Sequence, residues 1–401
     1  MAVGVLNAAI RQPWWARSAY SLDGIRPLLA ADFSRQRYMR NGAVVPFSSI
    51  ITLSSASKWV VNQSGVLVNV PANTPAFDYS TGRGRLVLEG ASTNLFPSST
   101  SPTSWNIGSG LTRNSVSTVA GITMGSYTFL GTGNAFTNLS VSVSANTTYT
   151  ASYYSQNQIA VGNNFLFLDP ATRAINYVGT QLANGLWRYV ATFTTAASNE
   201  TSVRFGIGPF DAAANYVMTV GGPQLELQSF ASSYIPTTSS SITRAADAAQ
   251  LTSTAAALLQ ASTATVVVRA GQLRPLVSGS GYNARILGGP SIDSYADYNA
   301  GSSNLECFDS VNSASVSWTP TQNYGVVHRH NSTPVASVTA SGSSVGSNST
   351  WNNSGFTSVY LGTCGSPNAA NPAADGYYDE LVIWPIYGSN AGTQNQARVW
   401  Q

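Results

Sequence analysis

The sequence predicts an all-β protein of tandem β-sandwiches behind a short N-terminal segment of mixed helix and turn character. Apolar or aromatic residues alternate with other residues along 149–153, 187–193, 203–207 and 216–220, the period-2 pattern of strands that bury one face. Turn residues separate these runs, as in the Asn-Gly pair at 184–185. Short alternating runs bounded by such turns are typical of two-sheet sandwiches.

Four regions are predicted along the 401 residues, a length that favours more than one domain. They are an N-terminal docking segment (1–31), a β-rich connector (32–91), a first sandwich (92–241) and a second sandwich (242–401). One helix is expected at 254–260, where alanine and leucine favour helix and Ser253 is the predicted cap.

Charge is sparse, since Asp, Glu, Lys and Arg make up 9% of the chain against about 25% in ordinary soluble domains. A formal net charge of +3 is too small for a surface that tracks nucleic-acid phosphates, so no nucleic-acid partner is expected. No apolar run is long enough for a membrane span, and residues 1–10 lack the basic leader of a signal peptide.

Arginine and tryptophan are concentrated near the N-terminus, where six of the 18 arginines fall within the first forty residues. Both residue types are enriched at interface hot spots because they bury well. Arg11, Trp14, Trp15 and Arg17 are therefore predicted to dock the chain onto a partner, and the alternative is a basic tail with no specific partner. Removal of 1–31 is expected to abolish docking without unfolding the sandwiches.

Two stretches are distinctive: RLVLEGASTNLF at 85–96, and GPQLELQSFASSYIPTT at 222–238, which runs on to TRAAD at 243–247. Each resembles a recurring sequence of bacteriophage tail-fibre and virion-spike proteins. Between them, SWN at 104–106, GLT at 110–112 and GLWRYVATFT at 185–194 resemble strands of carbohydrate-binding jelly rolls. The resemblance implies a carbohydrate-binding-module-like jelly roll over 92–241, without transferring any binding residue.

The last 150 residues contain YLG at 360–362 and DGYYDELVIW at 375–384. These motifs are similar to a closing strand that carries an acidic pair, and with them this region resembles a laminin-G or concanavalin-like sandwich. The two resemblances together imply a virion location, in a tail fibre or spike, with release by host lysis. They also imply a homo-oligomer, most often a trimer, and a host cell-surface polysaccharide as partner.

Sugar binding needs aromatic rings that are free to stack against a pyranose, and residues in polar loops are the better candidates. For each, packing against a neighbouring chain is an equal alternative. The candidates are Tyr282, Tyr295, Tyr298, Trp318, Trp351 and Tyr377.

No cofactor is predicted to be required, and a structural calcium ion is the metal considered, because it prefers carboxylate and carbonyl oxygens. Glu89 and Glu226 are candidate ligands if the first and last strands of the first sandwich pair. Asp375 and Asp379 are candidates in the second sandwich. The two cysteines are expected to be free, with a disulfide as the alternative.

Catalysis is not expected. Asp293 and Asp297 are the carboxylates that a glycosidase hypothesis would use, but a solvated loop is favoured. His328 and His330 share a face of a predicted strand, yet two histidines without a third ligand do not make a zinc site. The sequence therefore predicts a non-enzymatic virion protein that adheres to host glycans; the alternatives are a purely architectural head spike or decoration protein, and a polysaccharide depolymerase.

Overall fold

The computed structural model describes the chain from residue 13 to residue 398 apart from several short internal gaps. The residues left out within this range are 133–134, 161–163, 170–172, 198, 210–211, 277–281, 292, 310, 333–334, 342, 353–355 and 368–372. Arg11, one of the predicted docking residues, lies outside the described residues.

The all-β class is confirmed, because strands in antiparallel sheets account for nearly all of the regular structure described. The strands before the first sandwich are β1 (Leu29–Asp32), β2 (Arg37–Arg40), β3 (Ala43–Val44), β4 (Ile51–Ser54), β5 (Lys58–Val61), β6 (Leu67–Val70), β7 (Phe77–Asp78) and β8 (Arg85–Leu88). Those of the middle region are β9 (Ser92–Asn94), β10 (Asn106–Ile107), β11 (Leu111–Val119), β12 (Ile122–Phe129), β13 (Thr137–Ser142), β14 (Thr148–Ser155), β15 (Phe165–Asp169), β16 (Arg173–Asn176), β17 (Val178–Gln181), β18 (Trp187–Thr194), β19 (Ser202–Ile207) and β20 (Val217–Glu226).

The remaining strands are β21 (Ile242–Arg244), β22 (Ala248–Leu251), β23 (Ala264–Gln272), β24 (Asn283–Gly288), β25 (Ser294–Asn299), β26 (Asn304–Phe308), β27 (Ser313–Ser317), β28 (Asn323–His330), β29 (Ala336–Ala340), β30 (Val345–Asn348), β31 (Tyr360–Leu361) and β32 (Gly376–Trp384). The α-helices are α1 (Ser253–Gln260) and α2 (Asn390–Gln396), and 3-10 turns occupy Trp14–Ala16, Ser18–Tyr20, Phe47–Ser49 and Pro102–Ser104. None of the helices described is long and apolar enough to cross a membrane.

The first sandwich packs a six-stranded sheet, β11-β12-β20-β14-β18-β17, against a five-stranded sheet, β10-β13-β19-β15-β16. The predicted alternation is realised across β14 and β18, where Tyr149 pairs with Phe193 and Tyr153 with Tyr189. These four rings belong to a single buried core together with Phe205 of the opposite sheet. Hydrophobic burial between the two sheets therefore holds this unit together.

The second sandwich recruits strands from the start of the chain. Its larger sheet has the order β3-β2-β1-β32-β23-β28-β29-β30, with β8 also paired to β32, and its smaller sheet has the order β27-β26-β25-β24-β31-β22-β4. Strand pairing thus crosses the boundaries predicted near residues 31 and 91. The local sequence of these early strands does not indicate that they pair with strands near the end of the chain.

The N-terminal segment is part of this sandwich and not a detached arm. Tyr20 and Leu22 are buried with Trp384 and Met39 on the outer face of the larger sheet. The Nε1 of Trp384 donates to the carbonyl of Tyr20 at 2.9 Å. Removal of 1–31 would take away most of β1, an interior strand of the larger sheet, so the structure argues against the expectation that both sandwiches stay folded without this segment.

Helix α1 occupies the predicted position, but its cap is Thr252 and not Ser253. The Thr252 hydroxyl accepts a hydrogen bond from the Ala255 amide at 3.3 Å. Helix α2 was not predicted, because its sequence, NAGTQNQ, has weak helix propensity. It forms where Ser389 caps its first turn and Ala397 joins the outer core.

Candidate functional site

Four of the six predicted sugar-binding aromatics lie in the core of the second sandwich. Tyr295, Tyr298, Trp318 and Trp351 are at most 4% exposed. Tyr295 packs against Phe356 with ring centroids 4.1 Å apart. All four are buried, so the prediction that they lie exposed in polar loops is wrong: Tyr295 and Tyr298 lie on β25, an interior strand, and Trp318 and Trp351 pack into the same core from outside the strands. None of these four rings is free to stack on a sugar.

Tyr282 and Tyr377 are half-buried and do not converge on a common site. The Tyr282 hydroxyl donates to the carbonyl of Pro275 at 3.1 Å. Tyr377 faces a small cavity of about 70 Å³ between the connector and the two sandwiches, with the Arg85 guanidinium 5.2 Å from its ring centroid. The six candidates therefore do not form one binding surface.

Glu89 and Glu226 both contact the loop that follows β20. Each binds one of two adjacent residues: Glu226 accepts from the Ser232 amide at 3.0 Å, and Glu89 accepts from the Ser233 amide at 2.7 Å. Lys58 lies 3.3 Å from Glu89. Serine donors thus occupy oxygens of both carboxylates, and Lys58 and Arg244 also pair with Glu89, so these oxygens already have partners where a calcium ion would need them.

Asp375 and Asp379 also form ion pairs with arginines. Asp375 pairs with Arg274 at 2.7 Å, and Asp379 accepts two hydrogen bonds from Arg85, at 2.8 and 2.9 Å. Within the described part of the chain, no three His, Cys, Asp or Glu side chains gather as a metal-binding group. These four carboxylates hold the protein together, and a structural calcium ion remains a prediction.

The acidic pair considered for glycoside hydrolysis is buried, contrary to the expectation of a solvated loop. Asp297 is 1% exposed and pairs with Arg285. Burial raises the pKa of Asp297 to about 7, against the opposing effect of Arg285. Asp293 is 5% exposed. A saccharide has no access to the Asp297 carboxylate in this arrangement.

His328 and His330 lie on one strand face, as predicted, and contact each other. The Nε2 of His328 and the Nδ1 of His330 are 3.0 Å apart, and the rings pack with Tyr295 and Trp351. Burial and the mutual repulsion of two cations hold the pKa of His328 well below its usual range. Cys307 and Cys364 are buried and free.

Two of the three docking residues that the structure describes, Trp14 and Arg17, line a cleft of about 520 Å³, and Trp15 does not. Trp14 is half-buried, with its ring edge-on to Trp15 and to Tyr20 at centroid distances of 5.7 and 5.1 Å. The Arg37 guanidinium lies 4.9 Å from the Trp14 ring centroid, and Arg17 is exposed.

The rest of this arginine cleft comes from the larger sheet of the second sandwich and from the connector. Residues that are far apart in sequence meet here because β1, β32 and β23 are neighbours in the sheet. The cleft is lined by Trp14, Arg17, Ala19, Tyr20, Ser34, Arg35, Arg37, Arg83, Arg269, Asp379 and Glu380.

Buried carboxylates anchor the arginines of the cleft in pairs. Asp32 binds both Arg35 and Arg37, at 3.2 and 2.8 Å. Asp379 binds Arg83 at 3.2 Å as well as Arg85. Each of these two acids is therefore shared by two guanidinium groups, each with five N–H donors, so donors remain for an outside anion.

The contacts of Asp32 with Arg35, Arg37 and Ser34 stabilise its ionised form. Burial alone would raise the pKa of Asp32, but hydrogen bonds from Arg37, Ser34 and Arg35 outweigh it and lower that pKa. Deeper in the cleft, Glu380 accepts from Tyr20 at 2.8 Å and pairs with Arg269. Asp32 thus stays an ionised partner of Arg35 and Arg37 at neutral pH, and the ion pair with Glu380 orients Arg269.

The cluster still carries an excess of positive charge. Six arginines face three carboxylates, an excess of three, if Arg85 and Asp32 are counted with the groups that line the cleft. This equals the formal net charge of the whole chain, +3, so basic and acidic residues elsewhere cancel. The arginine cleft is therefore suited to an anionic ligand.

Sequence reasoning found only part of this cleft. The arginine-rich N-terminus predicted Arg17 as a docking residue, but not Arg35 or Arg37, which follow the predicted docking segment, nor the distant Arg83 and Arg269. One signal was available: an arginine within the apolar strand 264–272 must have a partner when it is buried.

Comparison with known proteins adds no family to this description, because no protein-family model and no curated protein matches the chain.

Proposed function

We propose that this protein is a non-enzymatic virion component of a tailed bacteriophage or phage-like particle, in a tail fibre or spike, that adheres to host surface glycans. The resemblances at 85–96 and 222–247 support the particle, and the arginine cleft supports the binding. The cleft is the observation that carries the proposal: it combines a tryptophan ring with a fixed array of guanidinium groups.

The chemistry of the cleft favours a saccharide that bears carboxylate or phosphate groups. Guanidinium forks bind such groups with two parallel hydrogen bonds, and an indole ring packs against the apolar face of a sugar. A volume of about 520 Å³ lies within the range of small-molecule sites, roughly 300–1,000 Å³.

Binding of acidic polysaccharide extracted from host envelopes, measured by isothermal titration calorimetry, tests this proposal. Arg17 is exposed, and its side chain forms no ion pair with a described residue. Arg17→Ala and Trp14→Ala should each weaken binding about tenfold or more, the size of effect typical of an anchor residue.

Arg204→Ala is the matched control. Arg204 is also a partly exposed arginine, paired with Asp169 at 3.0 Å in the first sandwich, and it lines no part of the cleft. Its replacement should leave binding unchanged. Equal affinities for all three variants and the unchanged protein would refute binding at the cleft, and release of new reducing ends would refute the non-enzymatic assignment.

The proposed oligomer follows from weak single sites. Several such sites on one symmetric assembly multiply their affinity through effective concentration, so a homo-oligomer, with a trimer favoured, is part of the proposal. Sedimentation equilibrium of the purified chain measures its mass directly, and a monomer at micromolar concentration would contradict this part alone.

A further inference from the structure

A second cleft lies on the other side of the loop 79–83. It has a volume of about 450 Å³, and every residue that lines it is uncharged. The lining residues are Asn62, Gln63, Ser64, Gly65, Tyr79, Gly82, Ala183 and Asn184. This neutral cleft lies between the connector and the first sandwich, and neither the predicted aromatic sites nor the arginine cleft includes it.

The two clefts adjoin along the chain. Gly82 lines the neutral cleft and Arg83 lines the arginine cleft, and consecutive Cα atoms lie about 3.8 Å apart. A second link is Gln36, whose side-chain amide donates to the Tyr79 hydroxyl at 3.2 Å. Because Arg35 and Arg37 flank Gln36 in sequence, both clefts border the same two loops.

We propose that the neutral cleft is a second saccharide subsite, which holds an uncharged sugar residue adjacent to the acidic residue in the arginine cleft. This inference rests on the proposed function and extends it: the ligand is a polysaccharide whose repeat joins acidic and neutral sugars. A homopolymer of acidic residues would place a charge in a cleft that offers no cation.

The walls of the neutral cleft are fixed by hydrogen bonds between the connector and the first sandwich. The Asn184 side-chain amide donates to the Gly65 carbonyl at 2.9 Å, and the Ala183 amide donates to the Ser80 carbonyl at 2.9 Å. The Oδ1 of Asn62 accepts from the amides of Ser64 and Val66. A site with walls held in this way loses little conformational entropy on binding.

The groups that remain free in the cleft suit sugar hydroxyls. Gln63 and Ser64 are exposed, and their amide and hydroxyl groups both donate and accept hydrogen bonds. Tyr79 is half-buried, and its ring contributes an apolar surface. Amides, hydroxyls and one aromatic ring, without charge, are the chemistry that a neutral pyranose requires.

The test is a blocking substitution assayed on an array of bacterial capsular polysaccharides and lipopolysaccharides of known repeat structure. Ala183 is exposed at the cleft wall, so Ala183→Trp fills the cleft without touching a core. The unchanged protein should bind repeats that place an acidic sugar next to a neutral one, and Ala183→Trp should weaken that binding at least tenfold.

Ala174→Trp is the control, because Ala174 is an exposed residue of β16 that lines neither cleft. Unchanged binding by Ala183→Trp, or binding confined to acidic homopolymers, overturns the second subsite. If Arg17→Ala still weakens binding about tenfold or more in that case, the proposed function stands. An array with no bound glycan overturns both.

Discussion

Buried charge in this protein is carried by residues that hold distant segments together. Lys58, the single lysine of the chain, is 2% exposed and pairs with Glu89 and Asp247. Arg269 and Glu380 form a comparable pair beneath the arginine cleft. Only 9% of the residues are charged, and many of these lie in buried contacts. Few charged residues therefore remain on the surface.

The histidine pair predicts a dependence of stability on pH. Both pKa values are lowered in the folded protein, His328 and His330 mainly by burial. The unfolded chain therefore binds more protons below its own histidine pKa of 6.5. Stability should be complete above this pH and should fall as the pH drops below it, approaching about 1.4 kcal/mol per pH unit for each histidine.

Urea unfolding between pH 7.5 and pH 5.0 measures this effect. His328→Phe keeps an aromatic ring among Tyr295 and Trp351 and removes one titrating group, so its stability should depend less steeply on pH. Identical dependence of stability on pH in the unchanged protein and in His328→Phe would show that His328 does not cause the effect.

Turns that join the elements dock one region onto another. The hairpin between β11 and β12 turns at Ala120 and Gly121, both with positive φ. The Ala120 carbonyl accepts a hydrogen bond from the Leu67 amide at 2.7 Å. The hairpin tip of the first sandwich thereby contacts the connector at β6.

Gly121→Ala should destabilise this contact. A Cβ at residue 121 would lie 2.0 Å from the Leu67 carbonyl oxygen, and the φ of +87° is costly for any residue with a Cβ. The control is Gly24→Ala, because Gly24 has a φ of +84° and open space around the added Cβ. This variant should lose only the backbone contribution to the free energy of unfolding, about 1–2 kcal/mol.

The difference between the two variants isolates the steric contact. Guanidinium unfolding should show Gly121→Ala to be less stable than Gly24→Ala by about 1–3 kcal/mol, the usual cost of overpacking. Equal losses in the two variants would mean that the hairpin tip moves away from Leu67 freely.

The N-terminal segment predicts different outcomes for two truncations. Deletion of 1–31 removes three residues of β1, which pairs with both β2 and β32, so the second sandwich should lose its cooperative thermal transition. Deletion of 1–12 leaves every contact described for Trp14, Tyr20 and Leu22 in place. That shorter deletion should retain the transition, and its incorporation into particles tests docking separately.

At the scale of the whole molecule, the two sandwiches are joined by the segments that resemble phage-fibre sequences. Strand β9 pairs with β21, and Asn94 accepts a hydrogen bond from the Leu225 amide at 3.0 Å. Glu89 lies between Lys58 and Arg244, at 3.3 and 3.0 Å. One buried ionic cluster therefore links the connector, through Lys58 and Glu89, with the start of the second sandwich, through Arg244 and Asp247.

This junction predicts that the sandwiches unfold together. Lys58→Met leaves Asp247 without its cation in a buried place and should cost about 3–5 kcal/mol, as other broken buried pairs do. In calorimetry it should split one transition into two. The control is Arg204→Met, which breaks an exposed ion pair and should lower the free energy of unfolding by less than about 1 kcal/mol. This variant should keep a single calorimetric transition. Two transitions in Arg204→Met as well would contradict the claim that the junction couples the two sandwiches.

The sequence by itself determined the all-β class, the alternating cores and the position of α1, because strand periodicity, turn residues and helix propensity act over a few neighbouring residues. It also placed His328 and His330 on one face, since the side-chain period of a strand is two. These features are local, and each was visible in a window of about ten residues.

Only the tertiary structure decided which distant strands are neighbours. Those neighbours bring together the residues that line both clefts. The pairing of β1 with β32 brings Arg35 and Arg37 to Asp379 and Glu380, more than 300 residues away in the chain. The same packing buried Tyr295 and Asp297, whose polar sequence context indicated a loop. Burial and charge pairing depend on contacts between segments remote in sequence, and no local pattern records them.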